Sequence, residues 1–314
     1  KVAPDGDLSV SYNGTMTVQT PDLTDYNMMD AATKLDTEWR AGLYNPASAS
    51  DMNLYNRYRR NVLGGVDTYW LSKPLRTAFQ HRHSASVSGG TEVFRYSLDI
   101  NAAMQPGVMK ESANNTKGVN FNMSYMKEKF IMRANVSLNE SNSSNSPYGS
   151  FSQYTRLNPY YIPEDANGNQ QKVLDNNTVS GQSTIITNPL YDATLGIKDL
   201  NNSLNMTTSL NLEYMVLRNL RITEQLSYTR GMAGTDKFLP ADHTSFELED
   251  DLTRKGSYFK STGEMTSWSS NLGINYNLVL GKHLFSTFAN WTISEDRNDY
   301  VNLSATGYPD AHMD

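Results

Sequence analysis

The residues whose types and spacing could support chemistry are few. His81-Arg82-His83 sets two imidazoles at i and i+2, which point the same way on a strand and suggest half of a metal site. No third histidine or carboxylate at useful spacing joins them, so polar residues at the mouth of a strand are the favoured reading. Asp165, Asn167 and Asn169 alternate oxygen donors as a calcium loop does, but no glutamate holds the closing position. An Asn-Gly turn is the simpler account. Glu247, Glu249, Asp250 and Asp251 form an acidic stretch, by default a solvated loop. Tyr154, Tyr160 and Tyr161 either stack on sugar rings or pack a loop internally. No Gly-x-Ser-x-Gly, phosphate loop or dinucleotide fingerprint occurs, and no pair of carboxylates is nominated for glycoside hydrolysis. The sequence therefore assigns no catalytic, cofactor or metal site.

Composition narrows the class. The 314 residues include no cysteine, which excludes disulfide staples, cysteine-ligated zinc and a cysteine nucleophile. A net charge of -6 argues against a nucleic-acid partner, whose phosphates demand a basic face. Mean hydropathy is -0.58, and Asn and Ser, 32 of each, make up about a fifth of the chain. No run of apolar residues is long enough for a transmembrane helix. On these numbers alone the protein reads as soluble.

The order of the residues reverses that reading. Apolar and polar residues alternate with a period of two over 8–19, 94–104, 119–125, 130–139, 204–214 and 272–278, and more weakly over 79–90, 219–230 and 282–294. Phe94, Tyr96, Leu98 and Ile100 against Arg95, Ser97, Asp99 and Asn101 is one example. Nine strands result, most of them longer than ordinary globular strands and matched to the span of a tilted membrane strand. Short turns near 88–92, 126–129, 215–218 and 279–282 alternate with long connections at 20–78, 105–116, 141–202 and 231–263. That asymmetry is the pattern of outer-membrane barrels, with tight periplasmic turns and large extracellular loops. Phe94, Tyr125, Phe130, Tyr214, Tyr276 and Phe285 lie beside the short turns, where an aromatic girdle would sit. The Asn, Ser and Thr residues then line a wet lumen, which also explains the Asn-x-Ser/Thr triplets at Asn122, Asn135 and Asn205 better than glycosylation does.

Two details complete the reading. Glu224 falls on the apolar face of 219–230, either as a charge toward lipid or because a bulge shifts the register. Met28, Met29, Ala32, Leu35, Trp39 and Leu43 recur at helical spacing, so a short amphipathic helix is expected within 25–43 of the first long loop.

Nine strands do not make an even-numbered closed barrel, and an open sheet in lipid leaves unpaired edges at several kcal/mol per exposed backbone group. With Lys1 at the start, no signal peptide, and a patternless tail at 309–314, the chain is expected to be an internal stretch of a longer barrel.

Several motifs carry a family resemblance. Ser88-Gly89-Gly90-Thr91-Glu92 followed by Phe94-Arg95-Tyr96-Ser97-Leu98 resembles a recurrent turn and strand of the SusC/RagA-type TonB-linked outer-membrane transporters of Bacteroidetes. Leu8-Ser9-Val10-Ser11-Tyr12-Asn13-Gly14 leading to Val18-Gln19-Thr20-Pro21 is similar to that family's first barrel strand. Asn158-Pro159-Tyr160-Tyr161 with Asp165-Ala166-Asn167-Gly168-Asn169 looks like its third extracellular loop, and Gly307-Tyr308-Pro309 also fits. The resemblance runs over essentially the whole chain. It implies an all-β, antiparallel, 22-stranded barrel in the Gram-negative outer membrane, of which 1–314 supplies about nine strands, with the plug and the C-terminal strands elsewhere. It further implies import of oligosaccharides or peptides with a SusD-like lipoprotein, driven by the TonB complex through regions outside this chain, with no enzyme activity and no cofactor. A soluble secreted β-rich glycan-binding or adhesin module, and a β-rich glycan-processing enzyme, are the competing readings.

Overall fold

The computed structural model describes residues 6–179 and 182–308. Lys1, Pro309 and the tail at 309–314 lie outside the described residues. Nine strands form one antiparallel sheet, with β1 (Gly6–Gln19), β2 (Ala78–Gly90), β3 (Phe94–Pro106), β4 (Ala113–Lys127) and β5 (Phe130–Ser144) in sequence order. A hairpin, β6 (Val173–Val179) and β7 (Gln182–Thr187), stands apart as a second sheet. The main sheet then resumes with β8 (Lys198–Leu217), β9 (Leu220–Leu239), β10 (Ser257–Leu280) and β11 (His283–Thr306). The sheet is not closed: β1 and β11 each have one neighbour among the described residues. No described helix is long and apolar enough to cross a membrane.

Cross-strand register sorts the side chains into rows. One row reads Ser9, Ser88, Ser97, Asn122, Asn135, Ser209, Ser227, Ser269 and Ser294, a small uncharged polar residue on every strand. These side chains bond across the ladder: Asn135 Nδ2 donates to Asn122 Oδ1 at 2.8 Å, Asn122 Nδ2 to Ser97 Oγ at 3.2 Å, and the Ser227 and Ser269 hydroxyls meet at 2.7 Å. The adjacent row points to the other face and reads Val10, Val87, Leu98, Phe121, Val136, Thr208, Tyr228, Trp268 and Glu295. Nearer the tight turns, Phe94, Tyr125, Met132, Leu212, Glu224, Leu272 and Trp291 share that apolar face.

The register through Glu224 is unbroken, so no bulge turns it to the polar side. It sits opposite Leu212 and Leu272, and the Ser270 hydroxyl donates to its carboxylate at 2.7 Å. Of the expected girdle aromatics, Phe94 pairs with Tyr125 and Phe130 with Tyr214, both pairs next to tight turns.

The strands outrun the alternation that announced them. β10 and β11 each have 24 residues, roughly 80 Å of extended chain. Toward the long-connection end the apolar face turns polar, with Lys117 opposite Glu140 and an Arg230–Glu264 ion pair at 2.8 Å. There both faces are polar, so the period-two signal fades while backbone pairing continues. For the same reason the expected long connection at 105–116 shrinks to 107–112, because Pro106 already pairs with Ala113. The connections at 20–77, 145–197 and 240–256 remain long.

The hydrophobic core lies in these connections rather than on the sheet. The first carries α1 (Ala31–Arg40) and α2 (Ala49–Leu63); the third carries α3 (Phe151–Tyr154), the β6–β7 hairpin and α4 (Pro189–Asp192). Ala31, Leu35, Tyr44, Leu54, Tyr58, Trp70, Leu71, Tyr154, Tyr160, Tyr161 and Leu190 form one buried cluster, a lobe at the long-connection end.

The helix expected within 25–43 is α1, but its span and buried stripe differ from expectation. Asp30 caps it by accepting from Thr33 N at 2.7 Å, so Met28 and Met29 precede the helix. It buries Ala31, Leu35 and Glu38, while Trp39 and Leu43 stay exposed. The stripe is displaced because a carboxylate, Glu38, takes a core position. α2 was not anticipated: its Asn and Arg content hides a helix that buries only Asp51, Leu54 and Tyr58. It ends at Gly64 and Gly65, the latter at φ 83°.

The β2–β3 turn makes a test of this architecture. Gly90 has φ +134°, and a Cβ there would lie 2.1 Å from the Phe94 carbonyl oxygen. Gly90→Ala is expected to cost roughly 1–3 kcal/mol. Gly89→Ala, whose Cβ would meet the movable Tyr96 hydroxyl at 3.3 Å and the Leu8 Cα at an ordinary contact distance of 3.4 Å, costs much less. Thermal unfolding of the purified full-length protein checks the difference.

Candidate functional site

Two surfaces offer binding chemistry: the lobe and the polar face of the sheet. The lobe is held by carboxylates that accept from phenols. Glu38, buried on α1, accepts from the Tyr44 hydroxyl at 2.9 Å and the Tyr160 hydroxyl at 3.0 Å, with Lys34 at 3.3 Å. Asp175 on β6, equally buried, accepts from the Arg57 guanidinium, the Tyr58 hydroxyl and Asn177 Nδ2. Tyr58 stacks on Tyr160 with ring centroids 4.3 Å apart. Burial pushes the Tyr58 phenol far above its ordinary range, and the Asp175 carboxylate adds to the shift. Burial does the same to Tyr44, with Glu38 adding to it, and to Tyr160. All three stay protonated donors at physiological pH.

The Asn158-Pro159-Tyr160-Tyr161 run is locked by main-chain bonds to the first connection. Trp70 Nε1 donates to Asn158 O at 2.9 Å, Thr68 N to Pro159 O at 2.7 Å, Asn61 Nδ2 to Tyr160 O at 3.1 Å, and Thr68 Oγ1 to Tyr161 O at 2.9 Å. Tyr154, Tyr160 and Tyr161 are 0%, 2% and 5% exposed. Of the two readings of these tyrosines, internal packing is the one realised, and no ring face remains for a sugar.

The other candidates resolve in the same direction. Asp165 turns its carboxylate on its own loop, accepting from Asn167 N at 2.8 Å and Asn169 N at 2.9 Å. Those backbone bonds hold its pKa below the ordinary carboxylate value, Asn169 foremost. His81 Nδ1 and His83 Nε2 lie 3.2 Å apart, and the Tyr12 hydroxyl contacts His83 Nδ1 at 2.6 Å. Among the described residues no group of three or more His, Asp or Glu side chains gathers as metal ligands would. The acidic stretch is spent locally: Glu247 pairs with Lys172 at 2.8 Å, and Asp251 accepts from Thr253 N at 2.9 Å.

A second joint ties the connection at 240–256 to α4. Asp192 accepts from Thr244 N at 2.8 Å and from its hydroxyl at 2.6 Å, and His243 Nε2 lies 3.7 Å from the same carboxylate. Burial lowers the His243 pKa below its ordinary 6.5, outweighing Asp192.

Hollows open to a ligand lie on both surfaces. Between α2 and β6 lies a cavity of about 820 Å³, lined by Asn53, Arg57, Arg59, Arg60, Asn176 and neighbouring residues. On the polar face of the sheet a smaller hollow of about 260 Å³ is walled by Arg95, Asn122, Ser124, Arg133, Asn135 and Asn211. Neither was visible in the sequence: their residues come from strands and helices far apart in the chain, and α2 carried no hydrophobic period to announce it.

No protein-family model matches the chain, and no curated protein matches it. Solved structures do. The RagAB peptide importer in its open-open state aligns with a TM-score of 0.74 at 17% identity, covering 99% of this chain and 37% of that one. Its closed-closed state gives 0.75 at 18% identity over the same shares. The chain has the fold of part of that importer's chain. It spans 37% of the length of the chains it matches. The likeness is to importers, not to an enzyme.

Two predictions follow from the joints of the lobe. Asp175→Ala strips the acceptor from Arg57, Tyr58 and Asn177, and with Arg57 partly exposed the cost is set at about 2 kcal/mol. Hydrogen exchange should accelerate in 173–187 while β2–β5 keep their protection. For His243 the folded-state pKa is lowered, so the unfolded form binds the proton more readily. Stability of the 240–256 joint is therefore complete above pH 6.5 and declines as pH falls below it. Proteolysis of 240–256 should rise between pH 7.5 and pH 5.5, and His243→Gln should flatten that rise.

Proposed function

We propose that this chain is the N-terminal part of the barrel of an outer-membrane TonB-dependent importer of the SusC/RagA type. The observation that carries the reading is the pairing of two unlike faces on one continuous sheet. A nine-residue Ser/Asn row runs beside a row that is Val, Leu, Phe, Tyr or Trp on seven of the nine strands, with Thr208 and Glu295 on the other two, and every long connection lies at one end. On β10 the apolar face extends from Leu278 to Trp268, roughly 25 Å in height for a tilted strand, the thickness of a barrel's lipid band. Beyond that height Lys117, Glu140, Arg230 and Glu264 stand where the strands leave the hydrocarbon. The aromatics beside the tight turns serve as the periplasmic girdle, and the lobe is extracellular.

The open edges at β1 and β11 are paired in the membrane by strands outside this sequence, since unpaired backbone groups in lipid cost several kcal/mol each. A plug fills the lumen against the polar face, the TonB complex acts through that plug, and a SusD-like lipoprotein covers the lobe. The cargo is a peptide or an oligosaccharide. The fold shared with a peptide importer, and the burial of Tyr154, Tyr160 and Tyr161 within the lobe, support the peptide.

Substituting Leu98 and Ser97 tests the reading. Leu98→Arg places a cation in the lipid band between Val87 and Phe121 and is expected to cost about 2–4 kcal/mol, with loss of the heat-modifiable barrel from the outer-membrane fraction. Ser97→Arg, on the polar face, is expected to assemble normally. Equal tolerance of both, in a full-length protein that stays monodisperse without detergent, would instead establish a soluble module.

A further inference from the structure

The cavity between α2 and β6 is a charged site with no ligand-like group of its own. Asn53, Asn56, Arg57 and Arg60 recur at helical spacing along the face of α2 that lines it, and Arg59 reaches the same space. Arg57 is committed to Asp175. Arg59 and Arg60 are exposed and pair with no carboxylate among the described residues. Three guanidiniums thus face the cavity region against one carboxylate, Asp175, which Arg57, Tyr58 and Asn177 already satisfy.

Asn53, Asn56 and Asn176 make no side-chain hydrogen bond among the described residues, so their amides are open to a ligand's main chain. No aromatic ring belongs to the lining, which removes the stacking platform that sugar rings use. The floor is apolar, with Leu54 buried and Leu63 76% exposed. The volume of about 820 Å³ suits a short peptide segment.

We propose that this cavity binds the side-chain carboxylates of an acidic peptide, with Arg59 and Arg60 as the carboxylate clamps and the asparagine amides on the peptide backbone. Guanidinium and carboxylate match in paired, charge-assisted hydrogen bonds, which a lysine or an amide would not reproduce. The proposal rests on the importer reading and names the cargo class that its loop lobe selects.

The test uses the full-length protein purified in detergent and a fluorescein-labelled, glutamate-rich hexapeptide. The same peptide with glutamines and a galacturonic acid trimer serve as comparators, all read by anisotropy. The glutamate peptide is expected to bind at least about tenfold more tightly than its glutamine counterpart, and the difference should shrink at high salt. The double variant Arg59→Gln/Arg60→Gln should lose that advantage and leave the glutamine peptide unchanged. Asn53→Asp, which adds a competing carboxylate to the cavity and removes no arginine, should weaken the glutamate peptide as well. Equal binding of the two peptides, unaltered affinity in these variants, or tighter arginine-dependent binding of the sugar acid would overturn the proposal. Assembly of the double variant in the outer membrane is scored separately. A normal barrel with unaltered peptide binding refutes only this cavity's role, whereas failure of the unsubstituted protein to form a barrel refutes the importer reading and the cavity's role with it.

Discussion

Every main-chain N–H and C=O in a strand must find a partner, and here a single antiparallel ladder meets that demand for the seven inner strands and for one side each of β1 and β11. The rest of the structure depends on this continuity. An unbroken ladder fixes the register, and the register converts alternation within each strand into rows that cross all nine. Once the rows exist, the two faces are committed to different surroundings, because a slip of one residue would exchange them completely. The Ser/Asn row is stable because its members bond to one another as well as to water. The apolar face has no partner layer within the described chain. Its side chains remain half-exposed or exposed, including Trp291 at 67% and Phe285 at 54% on β11. A soluble protein would have folded a second layer onto that face.

The lobe solves the opposite problem. Long connections on a barrel would ordinarily be loose, yet the first and third connections share a core of aromatic and aliphatic residues. The physical device is the buried carboxylate that accepts from several donors. Glu38 and Asp175 would be costly alone, and each becomes tolerable because phenols and, for Asp175, a guanidinium surround it. The partners lie more than a hundred residues apart in sequence, as in Tyr160 with Glu38 and Tyr58 with Asp175. These bonds therefore specify which connection docks on which, and not merely that the connections collapse.

What could be read in advance follows the same division. The strands near the tight turns were legible because there the two faces meet unlike media, and Phe94 to Ile100 shows the alternation plainly. The outer halves of β8 to β11 were not, since polar residues on both faces leave the pairing without a hydrophobic signature. In α1 the helix was legible but not its stripe, because no hydrophobicity count places Glu38 in a core. The tyrosines of the third connection were visible as a group. Whether they faced a ligand or each other depended on Thr68, Trp70 and Glu38, which sequence spacing does not connect to them. The α2–β6 cavity lay further from view still, being made by two elements whose contact is decided by Asp175.

The distribution of charge joins the two halves. Along the middle of the polar face, the row from Ser9 to Ser294 carries no charge, and neither does the row from Asn13 through Asn101, Gly118 and Gly231 to Asn298; the row between them, from Ser11 to Asp296, carries charge at Asp99 and Asp296 and is otherwise Ser, Thr and Asn. Neutral amides and hydroxyls trade hydrogen bonds with water at little net gain, so such a wall holds no ligand tightly. Further charges lie toward the tight turns, as in the Arg221–Glu213 pair at 3.2 Å, and in the lobe. On the proposed importer reading, this arrangement separates recognition from passage: the exposed arginines of α2 concentrate charge in the lobe, whereas the wall is mostly neutral. The abundance of Ser and Asn in this chain is, on that reading, the composition of a wall that solvates cargo without holding it.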